Sequence, residues 1–279
     1  MDLDLTAVGQ KLEAPTFAYD WKTCATYALG VGAGTDDLDY TWEGSKAFKV
    51  VPSFAVAPVQ PIVMAALSRV RADMRTLVHG AQTITLHSPI APKGALHSTG
   101  LITEVQDKGK GAVVIIATHT TDAAGAPVFD TEWSIFCRGQ GGFGGPRGET
   151  PALPEAAPGA APAFEVTMAT APNQALIYRL SGDLNPLHVD PALATKVGFE
   201  RPILHGLCSY GYAVRAAVTH LCGGDPARLA RFSARFSQVV YPGDALTVRA
   251  VPTTADRTWL LEVAVGDRTV LSHGVVDVR

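Results

Sequence analysis

The stretch Tyr178-Arg179-Leu180-Ser181-Gly182-Asp183-Leu184-Asn185-Pro186-Leu187-His188 sets a carboxylate and an imidazole five residues apart, across a break in helix geometry. Glycine reaches left-handed dihedrals without penalty, so Gly182 predicts the stop of a helix running from Gln174 to Ser181. Asn185-Pro186 predicts a fresh start, with Asn185 as N-cap and Pro186 at the first helical position. On one unbroken helix, residues five apart diverge by about 140°. With the break, Asp183 in the link and His188 in the next first turn can face one small volume, as acid–base chemistry requires. A helix start disfavours a charged imidazole and favours an ionised carboxylate. A neutral His188 beside Asp183 would then hold one water and move its protons near neutral pH. Asp183 and Asn185 also belong to the residue types that serve as plain helix caps, and a purely structural role stands beside the chemical one.

Working outward, residues 149–165 carry Pro151, Pro154, Pro158 and Pro162 among alanines. Such a segment forms neither a regular helix nor a central strand and reads as a semi-rigid linker. It divides the chain into domains at residues 1–148 and 166–279, each opening on helical material and closing on strands. Tyr27-Ala28-Leu29-Gly30-Val31-Gly32 aligns with Tyr178-Arg179-Leu180-Ser181-Gly182-Asp183 at an offset of 151. Ala91-Pro92-Lys93-Gly94-Ala95-Leu96 aligns with Tyr241-Pro242-Gly243-Asp244-Ala245-Leu246 at 150, so an internal duplication is expected. At the repeat offset Asp183 corresponds to Gly32, and no histidine stands near the counterpart of His188; the first half is expected to bind and the second to react.

Helical periodicity predicts one long helix per half, over 62–78 and over 206–222, the second apolar almost all round and therefore wrapped by sheet. Strands are expected over 82–86, 99–106, 112–120 and 131–137, then 232–239, 245–251, 259–265 and 269–278. A helix followed by a meander of strands that wraps it is α+β. Edge strands of such sheets tend to pair, which predicts a homodimer.

The 279 residues are 47% apolar with net charge −3, so no basic surface for nucleic acid is expected. No apolar run approaches the roughly 20 residues that cross a bilayer, and no signal peptide opens the chain. Cys24, Cys137, Cys208 and Cys222 lack Cys-x-x-Cys spacing, against a zinc site or a disulfide framework. A cytoplasmic location is expected, and the last residues, Asp277-Val278-Arg279, are no peroxisomal address. Gly139-Gln140-Gly141-Gly142-Phe143-Gly144 fits Gly-x-Gly-x-x-Gly, but Pro146 and the linker follow where a dinucleotide site needs a helix. These glycines read as a flexible lobe end.

Gly206 opens the second long helix, whose free N–H groups can receive a developing oxyanion, and glycine permits close approach of a thioester carbonyl. A packing role would explain Gly206 equally. His205 reads as structural. Lys108 reads as a solvated turn residue, and His79 as a helix-terminal residue satisfying carbonyls.

The Tyr178–His188 string resembles the motif of the hydratase 2 (MaoC-like, (R)-specific enoyl-CoA hydratase) family, an aromatic followed by Ser-Gly-Asp-x-Asn-Pro-Leu-His. Similar pieces are Pro202-Ile203-Leu204-His205-Gly206-Leu207-Cys208, Ala234-Arg235-Phe236, Val240-Tyr241-Pro242-Gly243, Leu77-Val78-His79-Gly80 and Asp107-Lys108-Gly109. They follow the family's order across nearly the whole chain and look most like its two-lobed form. The resemblance implies a double hot-dog fold and reversible hydration of trans-2-enoyl-CoA to (3R)-3-hydroxyacyl-CoA. It implies catalytic roles for Asp183, His188 and Asn185, and an enolate-stabilising N–H from Gly206. It further implies that His79, Gly80, Lys108 and Phe236 contact the CoA part of an acyl-CoA thioester, with Leu184, Pro186 and Leu187 of the motif lining the substrate. No metal or redox cofactor is implied; CoA arrives with the substrate. The alternatives are a hot-dog thioesterase and a non-catalytic acyl-CoA-binding subunit.

Overall fold

Each half of the chain builds the same succession of elements. The computed structural model describes residues 2–149 and 151–279; Met1, and Thr150 of the expected linker, lie outside the described residues. In the first half, β1 (Lys11–Glu13) and β2 (Phe17–Tyr19) precede α1 (Trp21–Gly30), α2 (Leu38–Thr41) and the central helix α3 (Val56–Arg69). The meander β3 (Leu77–Leu86), β4 (Gly94–Asp107), β5 (Gly111–Asp122) and β6 (Pro127–Arg138) follows. In the second half, β7 (Phe164–Ala169), α4 (Gln174–Tyr178), α5 (Pro191–Lys196) and the central helix α6 (Gly206–Leu221) lead to the second meander. That meander is β8 (Leu229–Phe236), β9 (Ala245–Pro252), β10 (Thr258–Val265) and β11 (Arg268–Val278).

Among the described residues these strands form one sheet in the order β1-β4-β5-β6-β3-β8-β11-β10-β9-β7, with β2 also on β4. The lobes join edge to edge where β3 pairs antiparallel with β8, from Ala81 opposite Arg235 to Thr85 opposite Arg231. The edge pairing that predicts a homodimer is thus made inside the chain. Two central helices wrapped by one continuous antiparallel sheet constitute a double hot-dog, an α+β architecture.

The helix α6 is buried nearly all round, and its large polar side chains find partners, although Ser209 Oγ is buried without one. Tyr210 Oη donates to the Phe232 carbonyl at 2.8 Å and Tyr212 Oη to Gln174 Oε1 at 2.9 Å. Arg215 donates to Asp37 Oδ2 at 2.6 Å and to the Val31 carbonyl at 3.1 Å. The last carbonyls of α1, orphaned at any helix end, accept from the other lobe: Gln174 Nε2 bonds Leu29 and Gly30 at 2.9 and 2.7 Å. These bonds fix α4, and with it the motif, against the first lobe. All four cysteines are buried free thiols.

Gly32, the repeat counterpart of Asp183, has φ +82, and a Cβ there would lie 2.2 Å from Tyr212 Cζ. The first lobe therefore has no room for the acid. Gly32→Asp, which restores the repeat's carboxylate, is expected to cost about 1–3 kcal/mol of stability in urea unfolding, through overpacking and an unfavoured φ.

Several expectations need correction. The first central helix starts at Val56 and ends at Arg69, not 62–78. Pro58 falls in its first turn, where no N–H is needed, and Pro61 removes a single bond. Its end is a Schellman cap, with Ala72 N bonding Leu67 O at 2.9 Å and Arg71 N bonding Ser68 O at 3.1 Å. Arg71 holds the left-handed position (φ 56) that glycine usually marks, so the stop leaves no signal in sequence. His79 consequently sits in β3, not at a helix end. Strand β7 takes Phe164 and Glu165 from the expected linker. The 139–144 glycines are clamped, not a flexible end: Gly142 N and Gly144 N donate to the Asp107 carboxylate at 2.8 and 2.7 Å.

Candidate active site

The motif folds as two tight turns. After α4, a 3-10 turn (Arg179–Ser181) ends at Gly182, whose φ of 124 only glycine adopts readily. A Cβ at Gly182 would also lie 2.6 Å from Gln60 Oε1 of α3. Asn185 then caps a second 3-10 turn, Pro186–His188, its side chain accepting from Leu187 N at 3.0 Å. This is a correction: the second piece is one 3-10 turn, and regular helix resumes only at Pro191 under the Asp190 cap. A turn so short has no macrodipole to hold His188 neutral. Burial does so instead, pushing its pKa below the usual 6.5, while Asp183 and the bond to Ile203 pull the other way.

His188 Nδ1–H donates to the Ile203 carbonyl at 2.9 Å, which leaves Nε2 with the lone pair. Asp183 Oδ1 accepts from the backbone N–H of Asn185 at 3.1 Å. Asn185 therefore positions both partners, the acid through its backbone and the imidazole through its cap. His205, read as structural from sequence, stacks on His188 with ring centroids 3.7 Å apart. Its Nε2–H donates to the Asp183 carbonyl at 3.2 Å. One carboxylate oxygen of Asp183 and one ring nitrogen from each of His188 and His205 lie within 4.8 Å of one another.

Gly206 is the first residue of α6. The first helical bonds run from Cys208 N and Ser209 N to the His205 carbonyl, so the amides of Gly206 and Leu207 are ahead of the ladder. A Cβ at Gly206 would meet Phe236 Cδ1 at 2.9 Å. Phe236 packs on His79 (4.6 Å between centroids), which stacks on Trp133 at 5.0 Å. The ladder between β3 and β6 shifts register at Gly80, a bulge that re-aims His79. Burial drives the His79 pKa down to about 4, opposed in part by Asp183. Gly206, Phe236 and His79 thus form one chain of contacts, with His79 within electrostatic reach of Asp183.

A cavity of about 10 Å³, at the lower limit for one water, touches Asp183, Tyr178, Ser181 and Leu207. Its remaining walls are Val56, Ala57 and Gln60 of α3, so the first lobe closes the site from above. Gln60 escaped the sequence reading, although it is the sole polar side chain between Val56 and Leu67. Ser181 Oγ, which lines this cavity, and Arg179 Nε of the same 3-10 turn are buried without a hydrogen-bond partner among the described residues.

Lys108 stands apart. It occupies the turn between β4 and β5, donates to the Arg147 carbonyl, and shares no hydrogen bond or ion pair with the Asp183 group. Leu184 is 60% exposed, Pro186 is exposed and Leu187 half-buried, so the motif presents an apolar rim to solvent.

Buried neutral imidazoles give pH dependence a definite sign. Burial lowers the His205 pKa to about 3, and that of His79 to about 4, whereas an unfolded chain protonates histidine near 6.5. Between those values the unfolded state binds more protons, so stability falls as pH falls from about 6.5 toward 4. The slope approaches about 1.4 kcal/mol per pH unit per group, and urea midpoints at pH 7 and pH 5 check it. For the same reason the acid limb of kcat/KM is expected below pH 6.5, the ordinary histidine value.

A double hot-dog with an acid–imidazole pair beside a helix N-terminus defines a class, and similarity to known proteins narrows it. Residues 17–139 match the family model described as MFE-2 hydratase 2 N-terminal domain, and residues 154–272 that of the MaoC like domain. The chain is 42% identical over 288 residues to 3-hydroxyacyl-thioester dehydratase Y of Mycobacterium tuberculosis, covering 99% of both chains. It is 38% identical to a probable enoyl-CoA hydratase 2 of Dictyostelium discoideum, over 86% of this chain and 83% of that one. The crystal structure of a MaoC-like dehydratase from Phytophthora capsici superimposes with a TM-score of 0.86 at 31% identity, over 99% of each chain. The chain belongs to the MaoC-like hydratase 2 family, in its two-lobed form.

Proposed function

We propose that the chain catalyses reversible hydration of trans-2-enoyl-CoA to (3R)-3-hydroxyacyl-CoA in fatty-acyl-CoA metabolism, a hydro-lyase reaction. The observation that carries this is the approach of an Asp183 carboxylate oxygen and a His188 ring nitrogen to within 4.8 Å of each other, with Asp183 lining a water-sized space that Leu207, at the start of α6, also lines. Water held by the Asp183 carboxylate and His188 Nε2 attacks C3 as the pair removes one of its protons. The pair returns a proton to C2, so the net change is addition of one water. Charge that builds on the thioester oxygen is met by the Gly206 N–H, worth about 3–4 kcal/mol in comparable oxyanion sites. Asp183 and His188 act as one proton-transferring unit. Asn185 aligns both, and the stacked His205 limits the rotation of His188.

In this proposal the CoA part lies along His79, Gly80 and Phe236 with Lys108 as a phosphate partner, while Leu184, Pro186 and Leu187 rim the mouth. No metal or redox cofactor takes part. We also propose a homodimer and a cytosolic location. Support for the first is the open edge of β7 and exposed Leu176, Leu180 and Leu184; for the second, four unpaired thiols. No helix among the described residues is long and apolar enough to cross a membrane.

Short- and medium-chain trans-2-enoyl-CoA provide the test. Loss of enoyl absorbance without release of free thiol, and a (3R) product on chiral chromatography, are expected. Release of thiol with the enoyl absorbance intact would instead identify a thioesterase.

A further inference from the structure

Two groups of ligand-type side chains occur among the described residues, and only one belongs to the reaction. The other is His87, His119 and Asp130, on the outer face of the first lobe. His119 and Asp130 are directly opposite each other in the β5–β6 ladder. His87 follows the end of β3, where its backbone N–H is held by the Val128 carbonyl at 2.8 Å. Three adjacent strands therefore fix three side chains that are far apart in sequence, on positions that alternate outward from the core.

The donor atoms converge. His87 Nε2 lies 2.8 Å from Asp130 Oδ2 and His119 Nδ1 2.6 Å from Asp130 Oδ1, and one atom from each residue falls within 4.8 Å of the others. Metal–ligand bonds of about 2.0–2.2 Å at tetrahedral angles separate neighbouring donors by about 3.3–3.6 Å, so the carboxylate contacts need to open by roughly 0.5–1 Å. The two imidazoles are 6.4 Å apart between centroids and tilted by 53°, and each turns one ring nitrogen to the same Asp130 carboxylate. The active-site histidines differ: their rings lie face to face at 3.7 Å and 27°, and a different backbone carbonyl holds one nitrogen of each. Two imidazoles and a carboxylate form a donor set that suits borderline cations.

Open space adjoins the trio. A basin of about 630 Å³ is lined by His119 and Asp130, with Glu132 two residues along β6 adding negative charge. Two cations also line it, but each has an acidic partner: Lys11 with Glu13 at 3.2 Å and Arg231 with Asp277 at 3.6 Å. We propose that His87, His119 and Asp130 form a binding site for one divalent transition-metal ion of the zinc class, with its remaining position open to water in the basin. The ion would clip the end of β3 to the β5–β6 hairpin, independently of the hydration chemistry.

The probe is Co²⁺ alone, added to the full chain after removal of any affinity tag. Expected are ligand-field absorption bands that saturate at one ion per chain, displacement by Zn²⁺, and a rise in Tm with either metal. His119→Ala is expected to abolish the bands and the Tm rise while leaving enoyl-CoA hydration unchanged. Asp130→Asn and His87→Gln, which keep side-chain volume and hydrogen bonding, guard against misfolding and are expected to weaken binding in the same sense. His205→Asn is expected to bind Co²⁺ as the parent does. Absence of saturable binding, binding that survives all three outer-face substitutions, or binding lost in His205→Asn would each overturn the proposal.

Discussion

Asp183→Asn and His188→Ala are each expected to lower kcat for enoyl-CoA hydration by at least roughly 10²-fold, the contribution of a positioned acid or base. Asparagine keeps the size of Asp183 and can still accept from Asn185 N, so the turn at Gly182 survives and the lost function is proton transfer. His188→Ala removes the Nε2 lone pair and also leaves the buried Ile203 carbonyl without its donor. It should therefore lose stability as well, by about 1–3 kcal/mol. Asp183→Asn should not, and comparing Tm with kcat in the two variants separates folding from chemistry. Both acidic and imidazole roles belong to the transition state, so KM is expected to move little.

Gly206→Ala carries the second large effect. Its Cβ would stand 2.9 Å from Phe236 Cδ1 and 3.0 Å from Cε1, closer than real Cβ contacts come. If the ring yields, its packing on His79 is disturbed; if the start of α6 recoils, the free amides are displaced from the reacting oxygen. Loss of one oxyanion donor costs about 10²–10³ in kcat. A normal kcat in Gly206→Ala, with normal folding, would contradict the expected displacement of the amides by the added methyl.

The parts of this site that sequence discloses are those written within one short stretch. Asp183, Gly182 and His188 are legible because glycine and Asn-Pro mark the kink that brings the pair together. A helix dipole predicts a neutral His188, yet the neutral state comes from burial, with His205 stacked on the ring, which only the fold supplies. Gln60 belongs to the other lobe and reaches the site through the packing of α3 over the motif. The end of α3 was hidden because arginine, not glycine, takes the left-handed position at Arg71. All eight core strands announce their position by alternation, but β3 and β4 each begin five residues earlier than expected, β3 with the bulge that holds His79, and β8 ends three residues earlier, at Phe236. The three-residue strands β1 and β2 are too short to show a period. The outer trio of His87, His119 and Asp130 is invisible in sequence because strand register alone brings it together.

A double-mutant cycle on Asp183 and His188 addresses the shared water most directly. If the two groups work as one unit, Asp183→Asn/His188→Ala should be no slower in kcat/KM than the worse single variant. Losses that multiply across the cycle, or near-normal rates in either single variant, would mean that the two side chains do not act together on one water.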